Sequence, residues 1–282
     1  MPNITQHQSA QTTKLLLIGD SGSGKTGALM SLAEDGYKLR IIDVDNGLDI
    51  VRNFATSPDS PYVKRNSKVA ENISFATITD PMKNLNGIIT PVKANVWPKV
   101  TSLLMHWKIE DEDLGKVVDW GPGEVLVIDS LTMLSQAALN WHLMINGALG
   151  TKRTGNEGRR DVGEAQRLLR SLFEMLYDSS IKCNVIVTSH VTLVSESGLS
   201  PQSEDAKGEM VTGYPSAIGR ALSPFIPRYF NTVLYCKPVG RQHKIFTRTQ
   251  GVVNVKSSAP LKVAPDYPLE TGLADYFKAV RS

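Results

Sequence analysis

Cysteine is scarce. Cys183 and Cys236 are the only two in 282 residues. They match no zinc-ligand spacing and no disulfide framework, so reduced thiols in a cytoplasmic protein are expected. Long apolar runs are missing as well, since none approaches the roughly 18 residues that a membrane span needs. The first 14 residues are polar and lack the charged-then-apolar layout of a signal peptide. Net charge is small, with 31 Lys and Arg against 28 Asp and Glu leaving +3. There is no internal repeat and no low-complexity tract. These absences argue against secreted, membrane-embedded and zinc-module classes. What is present is an ordinary globular composition, 41% hydrophobic and 21% charged. A chain of this length can bury a full core without staples.

Residues 1–12, rich in Gln, Thr and Asn, read as a flexible arm before one domain over 13–282. Residues 14–18 are a short continuous apolar run (KLLLI), the pattern of a strand buried on both faces. A helix is expected over 26–33 and a second strand over 37–44. Six prolines (58, 61, 81, 91, 98 and 122) break the stretch 52–120 into short pieces, read as an insertion with a strand at 73–78 and a helix at 97–107. Residues 125–128 repeat the buried-strand pattern, and 131–146 follow as an apolar helix. The glycine-rich basic stretch 147–160 reads as a loop, and 161–178 as an amphipathic helix. Another strand at 185–187 leads to Thr188, Ser189 and His190. A polar loop over 195–208 comes next, and then β segments at 232–236, 244–247 and 252–255. Strands alternating with helices before a terminal β-hairpin region predict an α/β fold with a mostly parallel central sheet flanked by helices.

The sharpest motif is Gly19, Asp20, Ser21, Gly22, Ser23, Gly24, Lys25, Thr26, a full match to G-x-x-x-x-G-K-[ST] placed directly after an apolar strand. Its glycines let backbone N–H groups turn inward around phosphates. The helix that starts there, with Gly27 in its first turn, aims its positive end at them. Lys25 would reach the β and γ phosphates and the Thr26 hydroxyl would bind Mg²⁺. Asp129 ends the strand VLVID, where a carboxylate can complete the Mg²⁺ site or merely cap the next helix. Asp45, just past the second strand, stands where a carboxylate could activate the attacking water, or it is a solvated turn acid. Strand alternation would put Asp43 on the same side. His190 at the end of the strand 185–187 could sense the γ-phosphate or be a satisfied structural histidine.

Together these segments resemble the RecA-type ATPase core, over about residues 13–257. IIDVDNGLD resembles the stretch that carries the catalytic glutamate, with Asp45 at its position and one methylene shorter. VLVIDS resembles the Walker B strand, and VIVTSH the nucleotide-sensing strand. More closely, the chain is similar to a phage family of AAA-type, RecA-like nucleotide-binding proteins. That family combines a GSGKT loop, a D-x-[DE]-x-G segment, a VIDS strand, a T-x-H strand and a tail like YFNTVLYCKPVG and VNVKSS. The resemblance implies a Mg²⁺-dependent ATPase that binds single-stranded DNA in phage recombination or replication. It also implies a homo-oligomer (ring or filament), with a single-strand DNA-binding protein as a further partner in the host cytoplasm. A basic residue reaching a neighbouring subunit's γ-phosphate would be Lys256, by its place in VNVKSS, or else Arg248.

The small total charge conceals an asymmetry. Residues 210–265 hold eight Lys and Arg and no acid, so the rest of the chain is net acidic. Lys152, Arg153, Arg159 and Arg160 form a second basic cluster. Such segments suit a phosphate backbone read without regard to base, or they are solvated faces. ATP is expected over GTP because no N-K-x-D segment is present. Two other readings stay open. One is a P-loop small-molecule kinase with Asp43 or Asp45 as base, and the other is a nucleotide-gated scaffold that does not hydrolyse.

Overall fold

The computed structural model describes residues 3, 11–85, 87–151, 153–195, 197 and 209–282. Nearly all of the expected arm, most of the polar loop after Ser195, and Lys152 lie outside the described residues. In chain order the elements are β1 (Lys14–Ile18), α1 (Lys25–Ala28), α2 (Met30–Glu34), β2 (Lys38–Asp43), α3 (Asp49–Thr56), α4 (Pro61–Arg65) and β3 (Ile73–Thr77). The hairpin β4 (Met82–Leu85) and β5 (Ile88–Pro91) follows, then α5 (Val96–Met105) and the hairpin β6 (Trp107–Ile109) and β7 (Glu112–Gly115). Next come β8 (Glu124–Asp129), α6 (Leu131–Ile145), α7 (Gly155–Tyr177), β9 (Asn184–Ser189), β10 (Val191–Ser195) and β11 (Val211–Pro215). The chain closes with β12 (Thr232–Val239), β13 (Gln242–Phe246), β14 (Asp266–Pro268) and α8 (Gly272–Arg281).

Eight strands form the central sheet in the order β14-β13-β12-β1-β9-β8-β2-β3. The six from β12 to β3 run parallel, and β13 and β14 turn back as an antiparallel edge. This is the expected α/β architecture. Every residue of β1 is buried, which is why its run is continuous rather than alternating. One face of the sheet packs Leu16, Ile18, Leu126 and Ile128 under α5, α6 and α7. The other packs Leu15, Leu17, Val125 and Val127 under α1, α2 and α8. Parallel register brings the carboxyl ends of four strands together, with Ile18 beside Ser189 and Asp43 beside Asp129. Open α/β sheets bind ligands at such ends.

Three expectations are corrected. The basic stretch expected as a loop to residue 160 is helical from Gly155, so Arg159 and Arg160 lie on the first turns of α7. Gly158 serves close approach rather than breakage, since a methyl on it would stand 2.9 Å from the Arg153 carbonyl oxygen. Residues 252–255 form no strand, only isolated bridges of Val253 with Gly213 and with Gln250. Finally, β2 stops at Asp43. Asn46 turns the chain at φ 53°, held by Gly47 N–H donating to Asp43 Oδ1 at 3.1 Å. Alternation ends there, and Asp43 and Asp45 part company.

Candidate nucleotide site

The loop from Gly19 to Thr26 leaves the end of β1, with Gly19 N–H donating to Ser189 O of β9 at 3.1 Å. Gly24 sits at φ +93°, a conformation L side chains rarely adopt, and its carbonyl accepts the first helical bond, from Ala28 N–H at 2.9 Å. Lys25 is 7% exposed. Its Nζ donates to the carbonyls of Gly19 (2.8 Å) and Asp20 (2.9 Å), within the loop's own backbone. Burial pushes its ammonium below the ordinary value, while Asp129, Asp20 and Asp45 oppose that shift.

Asp129 is buried beside it. The Thr26 hydroxyl donates to Asp129 Oδ2 at 2.7 Å, and the Thr188 hydroxyl donates to Oδ1. Burial pushes this carboxyl up, the two hydroxyls hold it down, and Asp45 and Asp43 add to the rise. Asp129 therefore caps nothing. The N-cap of α6 is Ser130, and no side chain caps that helix. The sequence placed Thr26 and Asp129 103 residues apart, and the sheet makes them neighbours.

Asp45 accepts from the Ser130 N–H (3.1 Å) and hydroxyl (2.9 Å), both on Oδ1. It lines the same cleft as Lys25, Thr26 and Asp129. Asp43 does not. It is 1% exposed and accepts from the Thr77 hydroxyl at 2.9 Å as well as from Gly47. His190 also lines the cleft, its N–H donating to Thr132 Oγ1 at 3.1 Å and its carbonyl accepting from Ser216 N–H at 2.7 Å. The cleft measures about 430 Å³.

Four lining residues escaped the sequence reading: Ile50 and Phe54 of α3, His243 of β13, and Leu269 just past β14. His243 Nε2 lies 3.1 Å from the Gly22 carbonyl, so the antiparallel edge of the sheet is tied to the phosphate loop. Nothing in a lone His or Leu some 220 residues downstream signals this. Among the described residues, no group of three His, Cys, Asp or Glu could hold a metal by itself. Thr26 and Asp129 instead supply two hard oxygen donors, a set that suits Mg²⁺ when water and phosphate oxygens supply the rest.

The other candidates lie elsewhere. Lys256 is exposed and pairs through its backbone with Val233, while the Arg248 guanidinium donates to the Pro260 carbonyl at 2.7 Å. Neither lines the cleft. Arg153 spends its guanidinium on Asp161, at 3.3 Å to both oxygens, and His142 Nε2 meets the same carboxylate at 3.1 Å. Arg159 and Arg160 are exposed on α7. Cys183 and Cys236 are buried free thiols, pushed by burial up to about 11 and about 12. No described helix is long and apolar enough to cross a membrane.

The model of the AAA domain family matches residues 11–257. No curated protein matches the chain. Among solved structures it is similar to the crystal structure of the RadB recombinase, at 15% identity and a TM-score of 0.41, over 85% of this chain and 81% of that one. The family match takes in every element that builds the cleft's phosphate end: the loop after β1, the turn after β2, and the ends of β8 and β9. The chain belongs to the AAA domain family and is a nucleotide-binding P-loop ATPase.

Proposed function

We propose that this ATPase hydrolyses ATP with Mg²⁺ while bound to single-stranded DNA, as a RecA-like protein of phage recombination or replication. The observation that supports hydrolysis best is the Thr26–Asp129 contact at 2.7 Å, with Lys25 and Asp45 lining one cleft. Lys25 would exchange its two loop carbonyls for phosphate oxygens. Thr26 and Asp129 would hold Mg²⁺, which when bound supplies positive charge to the phosphates. Asp45, fixed by Ser130 through one oxygen, would orient water with the other, and His190 would report the γ-phosphate to β10. Lys256, or else Arg248, would serve a neighbouring copy in a homo-oligomer.

DNA binding is supported by the acid-free stretch 210–265 and by Arg159 and Arg160 standing exposed beside it. The cleft formed by Arg159, Gly163, Gly219 and Arg220 joins the two regions. Of the other readings, the kinase loses Asp43, which is buried and satisfied. The non-hydrolysing scaffold keeps one argument, since Ser130 already engages the short Asp45 side chain twice.

The test is ATP turnover titrated with single-stranded DNA at two salt concentrations. Stimulation by DNA that fades steeply with salt is expected. Stimulation only by a small hydroxyl acceptor would select the kinase, and binding without turnover the scaffold.

A further inference from the structure

The phosphate loop occupies one end of the 430 Å³ cleft, and the other end is built differently. On one wall Leu269 lies against the loop so closely that a methyl on Gly24 would stand 2.6 Å from its Cδ2. On the opposite wall Phe54 and Ile50 of α3 press on Gly27, where a methyl would stand 3.3 Å from Phe54 Cε2 and 3.8 Å from Ile50 Cγ1. Gly24 and Gly27 bracket Lys25 and Thr26, so these apolar contacts flank the two residues that would hold the phosphates, in the same cleft.

Each wall is fixed from behind. The Phe54 ring packs on buried Tyr62 with centroids 5.3 Å apart. Leu269 N–H donates to the His243 carbonyl at 3.0 Å, and the His243 ring reaches the Gly22 carbonyl. Ile50 is 39% exposed and Phe54 is half-buried, so both keep apolar surface for a ligand. Most of the cleft's hydrogen-bonding side chains (Ser21, Lys25, Thr26, Asp45, Asp129 and His190) belong to the loop or to strand ends, and the remaining one, His243, already engages the Gly22 carbonyl through Nε2. Among the described lining residues, no carboxamide and no further carboxylate stands with Ile50, Phe54 and Leu269.

We propose that Leu269 on one side and Phe54 with Ile50 on the other clasp the nucleotide's base by its faces and do not read its edge. This rests on the nucleotide reading given above and adds its specificity. A guanine-selective site places an acceptor against the base's N–H edge, and a site that rejects an analogue strongly does so by leaving polar groups unpaired. Apolar walls do neither. ATP and GTP should therefore be accepted alike, contrary to the preference for ATP expected from the missing N-K-x-D segment, and Leu269 and Phe54 are positioning residues for both.

The experiment measures binding of ATP, GTP and inorganic tripolyphosphate, by competition, to the full chain and to Leu269→Ala, Leu269→Met and Phe54→Leu. ATP and GTP should bind within about threefold of one another. Leu269→Ala should weaken both about tenfold, the loss expected when an apolar contact of this size is removed. Leu269→Met should restore binding, and Phe54→Leu gives an independent reading from the other wall. Tripolyphosphate should compete equally against all four proteins, because it has no base. Unchanged ATP binding in both Leu269→Ala and Phe54→Leu would overturn the clasp. So would a preference between ATP and GTP beyond about thirtyfold, since that requires edge reading. Failure of tripolyphosphate to compete in the unaltered protein would instead overturn the phosphate-loop reading, and the clasp with it.

Discussion

Two lysines stand at opposite ends of the same strand. Lys14 opens β1 and Lys25 follows the loop that β1 feeds, and they are 5% and 7% exposed. Each ammonium donates to two backbone carbonyls: Lys14 to Ile181 (2.8 Å) and Cys183 (3.3 Å), Lys25 to Gly19 and Asp20. Burial lowers both, Lys14 to about 8. Their surroundings differ. Around Lys14 the polar groups answer one another. Asn184 accepts from Thr13 N–H and from Arg281, and its amide donates to the Pro122 and Glu124 carbonyls. Around Lys25 stand Asp129, Asp45 and Asp20 and an open cleft. A buried lysine bound by carbonyls is thus not in itself a site. Convergent carboxylates and unfilled volume beside it make Lys25 the candidate.

The largest test of that contrast is reciprocal. Lys25→Ala should lower ATP turnover by at least about a thousandfold, since one charge on the transferring phosphate contributes on that scale. It should change the unfolding midpoint less, because the cost of burying the ammonium goes with it and Asp20, whose carbonyl it frees, is exposed. Lys14→Met should do the reverse. Turnover should persist, and stability should fall by about 1–3 kcal/mol as the Ile181 and Cys183 carbonyls lose a donor. Steady-state kinetics and urea unfolding read both. Equal loss of turnover in the two variants would break the comparison.

Asp129→Asn is next in size. Turnover should drop at least about a hundredfold with the loss of a carboxylate from the proposed Mg²⁺ site. Thermal stability without nucleotide should stay level or rise, because a buried charge is removed and both threonine hydroxyls still find polar atoms. A variant that unfolds instead would show Asp129 to be structural, like Asn184.

The smallest test uses pH. The Lys14 ammonium titrates near 8 in the folded protein and near its ordinary 10.5 in the unfolded chain. Above about pH 8 the unfolded state therefore holds more protons, and stability rises with pH by up to about 1.4 kcal/mol per unit. Between pH 8 and 9 the thiols of Cys183 and Cys236, raised from 9.0, oppose this increasingly, but alike in the unaltered protein and in Lys14→Met. Unfolding midpoints over that window should climb more in the unaltered protein than in Lys14→Met. Parallel curves would remove the burial argument for Lys14.

Much of this was legible in the chain. The loop after β1 announces itself because phosphate wrapping needs particular residue types at consecutive positions. Asp129 and Asp45 were legible for a related reason, since Asp129 closes a buried strand and Asp45 lies two residues past another, and both apolar runs are visible. The helical start of α7 was hidden, because glycines at 155 and 158 look like breakers until the Arg153 carbonyl is seen beside one of them. Asp43 was misjudged because alternation holds only while the strand lasts, and Asn46 ends it. His243, Leu269, Ile50 and Phe54 carried no signal at all. Their neighbours in space are 20 to more than 200 positions away in the chain.

The sequence by itself determined the parallel α/β sheet, the phosphate loop and its two principal carboxylates. Local chemistry specifies these: buried-strand runs, and glycines and a lysine at fixed spacing. Only the tertiary structure decided which acid faces the cleft, which buried lysine lines it, and which residues wall its apolar end. Those depend on sheet order, which sets β8 two strands from β1 and brings the β13–β14 edge over the loop.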